Sequence, residues 1–225
     1  MRNSIRKSLG SKYHRFVKRG ISGITASSRV LPDFIIGGTV RSGSTSLYYN
    51  ICEHPSVLEA SYDEIGFFDS NYQLGMEWYR SMFPKQKEMD EVRNSTGFAI
   101  TGEDTPFYFW KKEAIERILK NLPNIKIILI FRNPIDRAYS NYMHHIRDGW
   151  ENISFEQALD DENSRIEENW GWSYHYVRTG MYYYQVKAYL ENFQHTKIPS
   201  YFLANMDILY EFNNCLLYTS PSPRD

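Results

Sequence analysis

Residues 33–47 read DFIIGGTVRSGSTSL. The apolar run Phe34-Ile35-Ile36 enters a glycine turn at Gly37-Gly38, passes Arg41, and reaches Gly43 followed by Ser44, Thr45 and Ser46. Strand, loop and helix start are specified in one short segment. From Gly38 to Thr45 the spacing is that of the phosphate-cradling loop G-x-x-x-x-G-K-[ST], with Ser44 in the place of the lysine. A loop of this shape aims successive backbone N–H groups and a helix N-terminus at one anion. The identity of that anion is open at this point, and so is the reason for the missing lysine.

Outward from the loop, residues 44–53 read as a helix with Leu47, Tyr48 and Ile51 on its buried face, stopped by His54-Pro55. Val57-Leu58 is a short second strand. Residues 61–69 hold two adjacent aromatics between acids. Two readings stand: Phe67 and Phe68 as a core wedge with carboxylates outside, or a carboxylate held at a pocket wall. Residues 76–83 read as a helix, 84–95 as a polar connection, 97–102 as a strand running into Glu103-Asp104-Thr105-Pro106, and 111–122 as a helix. Residues 125–131 are apolar without alternation from Ile127 to Ile130, as in a central parallel strand covered on both faces. The chain then switches to RNPIDRAYSNY, where Asn133-Pro134 with Asp136 is a helix-start signal. Ligands in open parallel sheets sit beyond the carboxyl ends of the strands. Arg132 is at such a place, and Ser140 lies two turns into the helix near the angular face of Arg137 and Asp136. Residues 155–168 form an acidic amphipathic helix, 170–176 an aromatic connection, and 182–193 a helix with a Val186, Tyr189, Leu190, Phe193 stripe. Residues 201–204 give a last strand. Alternating strand and helix place the chain in the α/β class.

At 225 residues the chain suits one domain with a core of its own. A formal charge of -1 argues against nucleic-acid binding by bulk phosphate neutralisation, so any anion site is local. Two cysteines, Cys52 and Cys215, and no H-E-x-x-H spacing argue against a disulfide framework and against a bound metal. No run approaches the ~18 apolar residues of a membrane span. Residues 1–30 read as a basic leader or first helix, and 31–212 as the main domain. Residues 213–225, NNCLLYTSPSPRD, read as an irregular stretch, and the expectation is a non-native tail or a domain truncated at its C-terminal end.

Two basic strand-end segments, at Arg41 and at Arg132, suit a ligand with phosphate charge at two places better than a triphosphate gripped by lysine and Mg²⁺. RSGST at 41–45 after FIIGG resembles the 5′-phosphosulfate loop of sulfotransferases that use PAPS (3′-phosphoadenosine 5′-phosphosulfate). ILIFRNPIDRAYSNY at 128–142 is similar to their 3′-phosphate motif. EIGFFD at 64–69, GEDTPFYF at 102–109 and TGMYYYQVKAYLENF at 179–193 resemble the heparan sulfate and carbohydrate branch. The resemblance covers about residues 31–210. It implies a P-loop-like three-layer fold with a central parallel sheet flanked by helices. It also implies sulfuryl transfer from PAPS, as co-substrate and without metal, to a carbohydrate hydroxyl or amine.

By the same resemblance Arg41, Ser42, Gly43, Ser44 and Thr45 bind the 5′-phosphosulfate, with Arg41 stabilising the leaving group, and Arg132 and Ser140 bind the 3′-phosphate. Glu64 is the base, with Glu103 or Asp104 as substitutes, and Asp69 orients the acceptor or caps a turn. His144 and His145 read as surface or packing residues, and the aromatics from Trp150 onward as core or sugar platforms. The pattern departs from the family at Arg41 and Asp63, where lysine is frequent though arginine also occurs at the first, and at Asp104, where some members have lysine. The latter two changes remove positive charge and disfavour polyanionic acceptors. A P-loop kinase or NTPase, and a nucleotide-binding domain without turnover, are the rival readings. The expected setting is soluble and cytoplasmic, or the Golgi lumen for a fragment of an anchored enzyme.

Overall fold

The computed structural model describes residues 26–193. Four parallel strands form one sheet in the order β2-β3-β1-β4: β1 Phe34–Gly38, β2 Val57–Leu58, β3 Ile100–Asp104 and β4 Lys126–Ile130. β1 is central, pairing Phe34 with Gly102 on one side and Phe34 with Lys126 on the other. All five of its residues are buried.

Side chains alternate across this sheet and so split the core in two. Ile35, Ile127 and Leu129 face a large aromatic-rich layer that includes Phe67, Phe68, Tyr79 and Tyr108. That layer is closed by α2 (Gly75–Arg80), α4 (Lys112–Asn121) and α8 (Tyr183–Phe193). Phe34, Ile36 and Ile130 face the other way, onto Tyr48, Leu47 and Ile51 of α1 (Ser44–Cys52). The Tyr48 hydroxyl donates to the Gly102 carbonyl at 3.1 Å and accepts from the Ala60 N–H at 2.7 Å, fixing α1 to the sheet. Helix, sheet and helix make the expected three-layer α/β arrangement.

Three elements differ from the sequence expectation. Residues 84–95 are not a plain connection but contain α3 (Gln86–Thr96), whose first turn is held by Glu88 accepting from the Lys85 N–H at 2.6 Å. Only Met89 is buried there, so no apolar stripe marks the helix. β3 runs further than expected, taking Glu103 and Asp104 into the sheet opposite Ile35 and Ile36. The acidic segment 155–168 breaks at Asp161 into α6 (Phe155–Asp160) and α7 (Glu162–Glu167). The long helix α5 (Pro134–Asp148) follows β4 directly and carries the rear wall of the site. The leader up to residue 25, the strand expected at 201–204 and the tail at 213–225 lie outside the described residues.

Candidate active site

The phosphate loop, residues 39–43, leaves β1 at its carboxyl end. Gly38 has φ 127° and Gly43 has φ 92°. A Cβ on Gly38 would lie 2.0 Å from the Ile130 carbonyl oxygen, so only glycine lets β1 turn off while still paired to β4. The Thr39 N–H continues that pairing, donating to Ile130 at 3.1 Å. The Thr39 and Ser42 hydroxyls hydrogen-bond each other, and the Ser42 N–H donates to the Thr39 carbonyl at 3.3 Å. The Ser42 amide is therefore used within the turn, which narrows the expected backbone cradle to Gly43, Ser44 and Thr45. α1 begins at Ser44 with no side-chain cap. Its first N–H groups have no intrahelical acceptor and face the cleft at the positive end of the helix dipole.

α5 is placed by a different local device. The Asn133 side chain accepts from the Ile135 N–H at 2.9 Å, and Pro134 presets the first turn. The start of the helix is thereby tied to the end of β4, and Ser140 is carried opposite the loop. Arg41 donates from Nε to Ser140 Oγ at 3.4 Å, and Arg132 donates from Nη1 to the Arg41 carbonyl at 3.2 Å. The two basic segments, 91 positions apart, form one cluster. Tyr182 steadies it from the third side, its hydroxyl donating to the Arg132 carbonyl at 3.0 Å. Among the described residues neither arginine makes a salt bridge. Burial, then Arg147 and Arg132, push the proton affinity of Arg41 down, the mark of a cationic spot with charge to spare.

The cluster forms one end of a cleft of about 860 Å³. Every residue expected to bind nucleotide lines it: Arg41, Ser42, Gly43, Ser44, Thr45, Arg132 and Ser140. Glu64 lines it as well, reaching it from a loop in which its own φ is 48°. Glu64 opens onto the cleft, but the protein packed on its other side raises its proton affinity. Asp63 adds to that, and Arg41 opposes it.

The other acids are elsewhere. Glu103 is fully buried on the opposite side of the sheet, where its carboxylate accepts from Tyr79 at 2.5 Å, from Thr105 at 2.6 Å and from Tyr108 at 3.2 Å. Burial still carries it to about 7, against the pull of those three hydroxyls. It has no route to an acceptor and serves the core. Asp104 is also fully buried, behind the cleft wall. Asp69 does not line the cleft and accepts from the Ser70 hydroxyl at 2.9 Å. Arg137, expected near Ser140, is directed inward and donates to the Tyr176 carbonyl.

One wall of the cleft is built from residues the sequence did not assign to the site. His144 and His145 both line the cleft, though His145 is packed and bonds the Tyr176 hydroxyl at 3.0 Å. Burial holds both imidazoles towards the neutral form. Asn141, Phe107, Trp150 and Trp172 complete the mouth, and Phe107 meets Trp172 edge-on at 4.8 Å. The aromatic connection at 170–176 was the available signal, since its rings follow no buried helical period. Among the described residues no group of three or more His, Cys, Asp or Glu is placed to hold a metal ion. No helix among them is long and apolar enough to cross a membrane.

Comparison with known proteins bears on the family and the fold. A family model described as "Sulfotransferase domain" matches residues 31–203. The membrane-associated sulfotransferase kil1 of Dictyostelium discoideum is 34% identical over 143 residues, covering 61% of this chain and 29% of its own length. The heparan sulfate glucosamine 3-O-sulfotransferase 5 of Mus musculus is 35% identical over 170 residues, covering 72% of this chain and 45% of its own. The chain thus spans less than half the length of either relative. The crystal structure of a sulfotransferase from Alicyclobacillus acidocaldarius superposes with a TM-score of 0.60 at 27% identity, covering 87% of this chain and 83% of that one.

Proposed function

Because the chain belongs to the sulfotransferase-domain family, we propose that it moves the sulfuryl group of PAPS to a carbohydrate hydroxyl or amine. The observation that carries this reading is the convergence of Arg41, Arg132 and Ser140 on the uncapped start of α1, with Glu64 on the same cleft. The pieces suit a ligand with two phosphate positions. The 3′-phosphate is taken by Arg132 and the Ser140 hydroxyl, and the 5′-phosphosulfate by Arg41 and the N–H groups of Gly43, Ser44 and Thr45.

In the reaction the bond between sulfur and the 5′-phosphate oxygen breaks while the acceptor oxygen or nitrogen bonds to sulfur. Negative charge grows on the departing phosphate. Arg41 and the start of α1 are fixed beforehand where that charge appears, and loss of one such stabiliser costs roughly 10²- to 10³-fold in rate. Glu64 takes the acceptor proton. Its raised proton affinity makes it a better base while Arg41 keeps it from holding a proton permanently. The Phe107 and Trp172 rings at the mouth give apolar faces for sugar C–H surfaces.

Labelled-sulfate transfer from PAPS to a panel of neutral, amino and acidic sugars, without added Mg²⁺, tests the proposal. Transfer is expected in the wild type and absent in Glu64→Gln, which still binds 3′,5′-ADP. Full activity in that variant would move the base elsewhere. A requirement for Mg²⁺ with ATP as donor would favour the kinase reading.

A further inference from the structure

Asp104 is a buried acid beside the phosphate loop to which the reaction gives no role. It ends β3 in register with Ile36 of β1, at the sheet edge from which the loop departs. It is fully buried, and neither of its carboxylate oxygens has a hydrogen-bond partner. The Thr45 hydroxyl and the Glu64 N–H are near enough to ease a charge there, yet neither completes a hydrogen bond. The charged groups that bear on it are the carboxylates of Asp63 and Glu64. Tyr48 and Cys52 face it from α1, and Glu103 adjoins it on β3 with its side chain on the other face.

An ionised carboxylate in such a place is costly, because burial removes water and no donor replaces it. Burial accordingly lifts Asp104 to about 7, so that it exchanges its proton in the working range. Thr45 lies between Asp104 and the cleft, and an anion held by the loop adds negative charge on that side. Two features separate Asp104 from Glu64. Glu64 opens to the cleft and is stabilised in its charged form by Arg41, whereas Asp104 has neither advantage.

We propose that Asp104 is a positioning residue that takes up a proton from solvent when an anionic nucleotide enters the loop, leaving Glu64 as the ionised carboxylate of the pair. The inference rests on the nucleotide-binding reading above. It adds that binding and proton uptake are linked, so nucleotide affinity falls as pH rises through the neutral range, by up to about tenfold per unit.

Calorimetric titration of the full chain with 3′,5′-ADP at pH 7.5, in two buffers of different ionisation enthalpy, measures the protons exchanged. The wild type is expected to take up several tenths of a proton per nucleotide. Glu64→Gln retains the uptake, and the near-isosteric Asp104→Asn loses it. In turnover, kcat/KM for PAPS falls in the wild type as pH rises through about 7, where Asp104 of the free protein loses its proton, and Asp104→Asn removes that fall. Proton-neutral binding by the wild type, or uptake lost in Glu64→Gln and kept in Asp104→Asn, overturns the inference while leaving the nucleotide reading standing. Superimposable pH profiles overturn the positioning role. Failure of 3′,5′-ADP to bind at all removes both.

Discussion

Replacing Gly38 by alanine tests whether the loop geometry is set by the strand it leaves. Gly38 has φ 127°, outside the narrow left-handed region that a side chain tolerates. Backbone strain of this kind costs about 1–3 kcal/mol. The added Cβ would also meet three atoms of the Ile130 backbone, at 2.0, 2.8 and 2.9 Å. Backbone cannot rotate away as a side chain can, so β1 and β4 must part locally. The Thr39 to Ile130 hydrogen bond at 3.1 Å goes with them, at about 1 kcal/mol. Together these terms give about 2–4 kcal/mol. Two neighbours in the same motif calibrate the result. A Cβ on Gly37 meets only the flexible Leu129 Cδ2, at 3.3 Å, and should cost about 1 kcal/mol or less. A Cβ on Gly43 meets nothing within 4 Å, leaving the φ of 92° as its whole penalty, about 1–2 kcal/mol. Urea unfolding by tryptophan fluorescence, read as the midpoint at constant m, ranks the three. If Gly38→Ala is as mild as Gly37→Ala, the tight pairing of the loop base to β4 is wrong.

Other variants probe the buried charges. Asp104→Asn should raise the unfolding midpoint strongly at pH 8 and much less at pH 4. The folded-state proton affinity of Asp104 is raised to about 7. Folded protein therefore holds more protons than unfolded between about pH 4 and 7, and stability is lost as pH rises through that window. An equal effect at both pH values would contradict this. Arg165→Ala should destabilise by about 3–5 kcal/mol, since it strands the buried Glu151 that it contacts at 2.7 and 3.3 Å. Thermal unfolding within 2 °C of the wild type would refute that pairing.

Much of the site was legible in the sequence because its parts are local. The Gly38 turn, the start at Ser44 and the Asn133-Pro134 cap are each decided within a few residues, and each places its neighbours correctly. The apolar run at 127–130 announced a buried parallel strand for the same reason. What could not be read was long-range. Nothing in the sequence around Glu103 says that Tyr79 will donate to it in the core, so it stood as a substitute base until the fold buried it on the other side of the sheet. Arg137 and Ser140 share a helix face only approximately, and packing against Tyr176 sends the arginine inward. α3 is held by surface pairs such as Arg93 with Asp90 at 2.7 Å, which leave no hydrophobic period to detect. The union of the Arg41 and Arg132 segments is a product of β1 lying beside β4, visible only once the sheet order is known.

The central claim is that this cleft holds a nucleotide with phosphates at two positions. Calorimetry with 3′,5′-ADP against ADP, without Mg²⁺, tests it most directly. 3′,5′-ADP is expected to bind about 10- to 100-fold tighter, the worth of one charged hydrogen-bonding site. Arg132→Ala is expected to remove most of the difference. Equal affinity for the two nucleotides, or a preference for ADP, would contradict it.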